Sequence, residues 1–115
     1  ELNSGCNMSC PFCVHGYENI QNKNLNIDKA KKLIDEAVSI GVKSIKFSYI
    51  NEPLLNKDLE NVIEYAKKQG IVNLYLTTNG TLLKAERRSR LLNSGLTKIF
   101  ISVDLCLSVA FLLTC

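Results

Sequence analysis

Three cysteines lie close together near the start of the chain, at Cys6, Cys10 and Cys13. Thiolate is a soft ligand that selects iron–sulfur clusters, zinc or Cu(I). A [4Fe–4S] cluster is ordinarily held by four cysteines, so three leave one iron without a protein ligand and open to a small molecule. The spacing therefore predicts a metal site, and the number of thiols favours a cluster that can bind a further ligand.

Two other uses of these cysteines remain open from the residues alone. A structural zinc site needs four nitrogen or sulfur ligands, and His15 is the one histidine in the chain. The single residue between Cys13 and His15 is a tighter gap than zinc sites usually have, so we expect His15 to be an exposed loop residue. A disulfide is the third reading, and the odd count of five cysteines weakens it.

Length and charge restrict the partners of the chain. At 115 residues it is long enough for one domain with a real core and too short for two ordinary ones. The net charge is +3, and the basic residues are dispersed among acidic ones. This pattern disfavours nucleic acid and the membrane surface as partners, so we expect a small-molecule cofactor.

No export or membrane signal is found in the sequence. The first residues lack the basic and apolar regions of a secretory signal. The longest apolar run, residues 105–113, is about half of the roughly 20 residues that a membrane helix needs. We therefore expect a cytoplasmic protein with no membrane partner.

Three segments show the apolar spacing of amphipathic helices. The clearest has apolar residues at i, i+3, i+4 and i+7, with Asn26 or Asp28 as its cap and Gly41 after its end. A glycine also follows each of the other two. The predicted helices cover residues 27–38, 57–69 and 82–93.

Short runs of strand character lie between these helices. The first alternates, with Ile45, Phe47 and Tyr49 on one face. Successive strand centres are about 25 to 30 residues apart, the length of one βαβ unit, which predicts an α/β fold with a parallel sheet covered by helices. The predicted strands cover residues 44–50, 72–78 and 98–103, and residues 1–3 are predicted to end an earlier strand before a loop over residues 4–24.

Polar residues follow each predicted strand, at the edge of a parallel sheet where ligands gather. Glu52 precedes a proline, which disfavours helical geometry at Glu52. Asn79 begins an Asn-Gly pair, which is also a favoured turn pair. Alternation places Ser102 and Asp104 on one face. Taken singly, each loop is equally well explained as an ordinary turn.

The cysteine segment resembles the signature of the radical S-adenosylmethionine (radical SAM) superfamily, Cys-x3-Cys-x-aromatic-Cys, with Phe12 as the aromatic residue. The resemblance implies that Cys6, Cys10 and Cys13 hold a [4Fe–4S] cluster. It implies that S-adenosylmethionine binds the open iron through its amino and carboxylate groups. It also implies that Phe12 lies near the adenine of this cofactor.

The loop after the first predicted strand resembles a second motif of that family. Residues 50–53, Ile-Asn-Glu-Pro, are similar to Gly-Gly-Glu-Pro, whose backbone and carboxylate meet the amino group of the cofactor. The resemblance implies that Asn51 and Glu52 bind the cofactor. Ile50 and Asn51 replace the two glycines in this chain. The close approach of the backbone to the cofactor that glycines allow is therefore not expected at these two positions.

The later loops resemble two further segments. The loop containing Asn79 is similar to a Thr-Asn-Gly-Thr segment of the branch with SPASM-type C-terminal extensions, which implies a cofactor contact by Asn79. The segment ending in Ser102 and Asp104 is similar to a Ser-x-Asp strand end whose side chains face the ribose or the methionine carboxylate. Both residues are thereby implied to bind the cofactor.

As a whole, the resemblance implies the N-terminal half only of a parallel (β/α) partial TIM-type barrel, over residues 1–104. It implies an enzyme fragment that cleaves S-adenosylmethionine reductively to a 5′-deoxyadenosyl radical, with no residue here acting as a general acid or base. An electron donor such as flavodoxin or ferredoxin is implied. The substrate is unknown, and a peptide or protein is one candidate. A non-catalytic iron–sulfur remnant and a zinc-binding interaction module are the alternatives.

The resemblance stops after Asp104. Residues 105–115 are apolar and have no polar face for solvent, so a truncation or a shifted reading frame is the expected explanation. Cys106 and Cys115 are then incidental. We expect the chain alone to be without turnover.

Overall fold

The computed structural model describes residues 1–103, in which helices alternate with the strands of a three-stranded sheet. Asp104 and the predicted apolar tail, residues 105–115, lie outside the described residues. In chain order the elements are α1 (Val14–Tyr17), α2 (Ile27–Ser39), β1 (Ser44–Lys46), a 3₁₀ turn (Pro53–Leu55), α3 (Leu59–Lys68), β2 (Asn73–Thr78), α4 (Ala85–Asn93) and β3 (Lys98–Ile101).

The sheet is parallel, as predicted, with strand order β1-β2-β3. The register places Ile45 beside Leu74 and Leu76 beside Ile99. Side chains of a strand point alternately to opposite faces, and Leu74 and Leu76 share the fully buried face of β2. Because all three strands run the same way, their carboxyl ends meet at one edge.

Strand β1 is shorter than predicted, since it ends at Lys46 and not at residue 50. The Phe47 N–H still donates to the Tyr75 carbonyl at 2.9 Å. Beyond that point the Thr77 N–H donates to the Ser48 hydroxyl at 2.7 Å, and the Tyr49 N–H donates to Asn51 Oδ1 at 3.1 Å. Side chains thus take the place of the backbone ladder, and the chain leaves the sheet toward the site.

Helix α2 forms where its apolar period predicts it. Asn26 caps it, because Asn26 Oδ1 accepts hydrogen bonds from the Asp28 N–H at 2.9 Å and the Lys29 N–H at 3.2 Å. The helix is followed by Gly41 at φ +88°, a left-handed position that favours glycine. Local chemistry is sufficient to set both ends of this helix.

Helices α2 and α3 pack against each other, and a side-chain pair joins their exposed sides. The Tyr65 hydroxyl donates a hydrogen bond to Asp35 Oδ1 at 2.7 Å. This hydrogen bond to a carboxylate favours the protonated phenol and raises the pKa of Tyr65 above its ordinary value.

Three local details differ from the sequence prediction. A one-turn helix, α1, lies within the predicted loop, and its four residues are too few to show a helical period. Helix α4 begins at Ala85, three residues later than predicted, because the Leu83 N–H bonds the Gly80 carbonyl and the Lys84 N–H bonds that of Leu82 in a turn. The predicted N-terminal strand is represented by a single antiparallel bridge between Asn3 and Asn24.

The core lies between the sheet and the helices. Its fully buried side chains include Leu59, Ile63, Ile71, Leu74, Leu76 and Leu91. Within residues 1–103, no helix is both long enough and apolar enough to span a membrane.

Two adjacent leucines of α4 provide a test of this packing. Leu91 is 0 % exposed and Leu92 is 63 % exposed. We expect Leu91→Ala to lower the free energy of unfolding by about 2 to 5 kcal/mol, because it leaves a cavity, and Leu92→Ala to change it by less than about 0.5 kcal/mol. Urea unfolding followed by circular dichroism measures both values. Equal values for the two variants would contradict the packing of α4.

Candidate functional site

A pocket lies at the edge where the strands end, and four segments of the chain line it. The cysteine loop forms one side, and the loops after β1, β2 and β3 form the rest. Its volume is about 210 Å³. The lining residues are Cys6, Met8, Cys10, Phe12, Cys13, Tyr49, Ile50, Asn51, Glu52, Thr77, Thr78, Asn79 and Ser102.

The cysteine loop turns tightly, so that its three thiols face this one pocket. The Cys13 N–H donates to the Cys10 carbonyl at 3.0 Å, and the Gly16 N–H donates to the Cys13 carbonyl at 2.8 Å. A Cβ atom at Gly16 would overlap the Cys10 carbonyl, so close approach of α1 requires glycine there. The three cysteines are half-buried, and all three line the pocket.

The chemistry of the donor set bears on the kind of metal site. Three cysteines line the pocket, and soft thiolate is the ligand type that holds iron–sulfur clusters. Within residues 1–103, no group of three His, Cys, Asp or Glu side chains is arranged to hold a single metal ion. The donor set fits an iron–sulfur cluster in its chemistry.

Glu52 lies beneath the pocket with its side chain almost fully buried, at 1 % exposure. Its Oε1 accepts hydrogen bonds from the Leu54 N–H at 3.0 Å and the Thr78 hydroxyl at 2.7 Å, and its Oε2 accepts one from the Asn79 N–H at 2.8 Å. A carboxylate offers about four acceptor positions, so one remains on Oε2. Glu52 thus joins the loops after β1 and β2.

Asn51 lines the pocket, but its side-chain amide forms hydrogen bonds within the protein. Its Oδ1 accepts from the Tyr49 N–H, and its Nδ2 donates to Asn3 Oδ1 at 2.9 Å. Asn3 in turn donates to the Glu52 carbonyl at 3.1 Å. Among residues 1–103, positive φ angles are confined to glycines, so positions 50 and 51 need no glycine here. This explains how the loop tolerates Ile50 and Asn51.

Asn79 connects the loop after β2 to the cysteine loop. Its Nδ2 donates to Asn7 Oδ1 at 2.9 Å and lies 4.0 Å from the Cys6 sulfur. Gly80 follows at φ +78°, so the Asn-Gly pair does form the predicted turn. The turn reading and the site reading of this segment are both compatible with the structure.

Beyond β3, Ser102 also lines the pocket, and its N–H donates to the Thr78 carbonyl at 2.9 Å. Its predicted neighbour on the same face, Asp104, is outside the described residues. Phe12 lies at the pocket with 63 % of its surface exposed, so a flat ligand can reach it. All of the predicted site residues within residues 1–103 are therefore brought together.

Five residues at the pocket were not predicted as site residues, namely Met8, Tyr49, Ile50, Thr77 and Thr78. Their position at the ends of strands, or between the cysteines, was the available signal. The expectation that His15 is an exposed loop residue is wrong, because His15 lies on α1 and is half-buried. It does not line the pocket, and its Nε2 atom is buried without a hydrogen-bond partner among the described residues.

Comparison with known proteins places this chain in a family. The model of the radical SAM superfamily matches residues 1–105. The chain is 35 % identical over 100 residues to a protein of Methanococcus maripaludis named "Probable GTP 3′,8-cyclase", covering 86 % of this chain and 33 % of that protein. It is 35 % identical over 103 residues to the PqqA peptide cyclase of Bradyrhizobium diazoefficiens, covering 89 % of this chain and 27 % of the relative.

The solved structures give the same result for the fold. The crystal structure of BtrN in complex with AdoMet and 2-DOIA matches with a TM-score of 0.80 and 25 % identity, over 88 % of this chain and 42 % of BtrN. This likeness confirms the predicted partial (β/α) barrel. The chain spans about a third of the length of the curated relatives it matches. Radical SAM proteins use a [4Fe–4S] cluster and S-adenosylmethionine.

With a family model that matches nearly all of its described residues, and relatives that are radical SAM enzymes, the chain belongs to the radical SAM superfamily.

Proposed function

We propose that Cys6, Cys10 and Cys13 hold a [4Fe–4S] cluster and that S-adenosylmethionine binds at its open iron. The observation that carries this proposal is that the three thiols share one pocket with the loops after all three strands. Among residues 1–103, three cysteines line the pocket, and three thiolates suit a cluster with one exchangeable position.

The cofactor would then lie along the polar side of the pocket. Phe12 presents an exposed ring to the adenine, and the remaining acceptor position on Glu52 Oε2 suits the ammonium group. We assign Asn51, Asn79 and Ser102 to the same site, because they line the pocket. Asp104 is assigned from the family motif.

When bound, the cluster and S-adenosylmethionine would supply one-electron reductive cleavage of a carbon–sulfur bond, which gives methionine and a 5′-deoxyadenosyl radical. The residues of this chain bind and orient the two groups and keep them apart from water, and none is required as a general acid or base. An external donor of the flavodoxin or ferredoxin type would deliver the electron. The substrate is not assigned, since the relatives named above include a GTP cyclase and a peptide cyclase.

The first test concerns the cluster ligands. Anaerobic reconstitution of the chain should give about four iron per chain with a broad brown absorbance, because a [4Fe–4S] cluster assembles. Cys10→Ala should abolish this, since two cysteines cannot hold the cluster. Iron and sulfide analysis measures both.

The matched controls are Cys106→Ala and Cys115→Ala, which remove thiols outside the cysteine loop and should leave the iron content unchanged. Iron retained in Cys10→Ala would refute the ligand assignment. Stoichiometric zinc in the aerobically purified protein would favour the zinc-binding module instead.

The second test concerns Phe12. Stacking of a base on an aromatic side chain contributes about 1 to 3 kcal/mol, so Phe12→Ala should weaken S-adenosylmethionine binding roughly five- to 150-fold with iron content unchanged. Anaerobic calorimetry on the reconstituted protein measures the dissociation constant. Phe100→Ala is the matched control, because Phe100 is also exposed but does not line the pocket. An equal effect of the two variants would remove Phe12 from the site.

A further inference from the structure

A network of uncharged side chains surrounds the first cysteine. Asn79 Nδ2 donates to Asn7 Oδ1 at 2.9 Å, and Asn7 Nδ2 donates to the Thr81 hydroxyl at 2.8 Å. The Thr81 hydroxyl in turn donates to Asn79 Oδ1 at 2.7 Å. The three side chains thus close a ring of hydrogen bonds beside Cys6.

This ring fixes which end of the Asn79 amide faces the sulfur. Asn79 Oδ1 accepts two hydrogen bonds from Thr81, one from its N–H at 3.0 Å and one from its hydroxyl. The reversed amide would set its NH₂ group against the Thr81 N–H, so the orientation is determined by the network. The NH₂ group is therefore directed to the cysteine loop, with Nδ2 4.0 Å from Cys6 Sγ.

The backbone of Asn79 is held as firmly as its side chain. Its N–H donates to the buried carboxylate of Glu52 at 2.8 Å, and the next N–H, that of Gly80, donates to the Thr78 hydroxyl at 3.1 Å. The amide is thus preorganised from both sides. A donor that cannot turn away keeps its direction when the charge on the sulfur changes.

We propose that Asn79 is a positioning residue that directs an N–H group at the Cys6 sulfur and thereby raises the reduction potential of the cluster. The proposal rests on the proposed ligation of the cluster by Cys6. Reduction adds one electron, supplied in the test by dithionite, and increases the negative charge shared by the cluster and its thiolates. An N–H group aimed at a ligating sulfur stabilises the more negative state, so reduction becomes more favourable.

The test is an anaerobic redox titration of the reconstituted chain, without S-adenosylmethionine, followed by the electron paramagnetic resonance signal of the reduced cluster. Asn79→Leu removes the donor at similar volume and adds no charge. We expect a shift of the reduction equilibrium toward the oxidised cluster by about tenfold, which is about 59 mV lower for one electron. Asn7→Leu is the matched control, because it breaks the ring but leaves the Asn79 amide oriented by Thr81, and its potential should stay near that of the unmodified chain.

A second pair of variants covers the case in which Asn79→Leu does not load iron. Asn79→Asp retains both acceptor bonds to Thr81, replaces the NH₂ group by a carboxylate oxygen and adds one negative charge. Asn7→Asp adds the same charge to the same ring and retains the Asn79 donor. The proposal requires a lower reduction potential in Asn79→Asp than in Asn7→Asp.

The outcomes separate this inference from the proposed function. Equal potentials in the Asn79 and Asn7 variants, with normal iron loading, would overturn the inference and leave the proposed ligation intact. Loss of loading in both Asn79 variants but neither Asn7 variant would also overturn it, because Asn79 would then be needed for assembly and not for the potential. An unmodified chain that binds no iron would overturn the proposed function itself.

Discussion

The geometry of the pocket depends on the hydrogen bonds that the buried carboxylate of Glu52 accepts. A buried charge is costly unless hydrogen bonds replace its water, and here three donors do so, two of them backbone N–H groups. The donors come from the 3₁₀ turn after β1 and from the end of β2. The Glu52 N–H also donates to the Gly5 carbonyl at 2.9 Å, directly before Cys6. One residue therefore sets the relative positions of three loops that are far apart in sequence.

Uncharged amide side chains extend this support. Asn3, Asn51 and Asn56 are buried and bridge loops that have no regular backbone pairing. Asn56, for example, donates to the Leu2 carbonyl at 2.9 Å and accepts from the Asp58 N–H at 2.8 Å. An amide both donates and accepts without the desolvation cost of a charge, so it suits buried loops. The abundance of asparagine in this chain thus has a structural cause around the site.

The loop after β1 lies at the pocket although its sequence differs from the family motif that it resembles. The motif has two glycines where this chain has Ile50 and Asn51, and neither residue needs a left-handed conformation. Asn51 turns its amide toward Asn3, which fastens the loop to the start of the chain. Ile50 and Tyr49 are left exposed beside the pocket, and they make this wall more apolar than glycine would. The two side chains thus take up space beside the pocket, and the Asn51 amide adds a hydrogen bond that glycine could not make.

The sequence by itself determined the parallel α/β class, the three main helices and most of the residues that share the pocket. The fold class and the helices follow from local causes, namely apolar period, caps such as Asn26, and glycines placed after helix ends. The pocket residues outside the cysteine loop were instead implied by the resemblance to family motifs. The close spacing of Cys6, Cys10 and Cys13 is also local. Tertiary structure alone decided where β1 ends, that the amide of Asn51 faces Asn3, and that Glu52 has one acceptor position left. Each of these depends on a hydrogen-bond partner that is distant in the sequence, such as Asn79 for Glu52. Residue patterns within one segment do not specify which distant donor will reach a given acceptor.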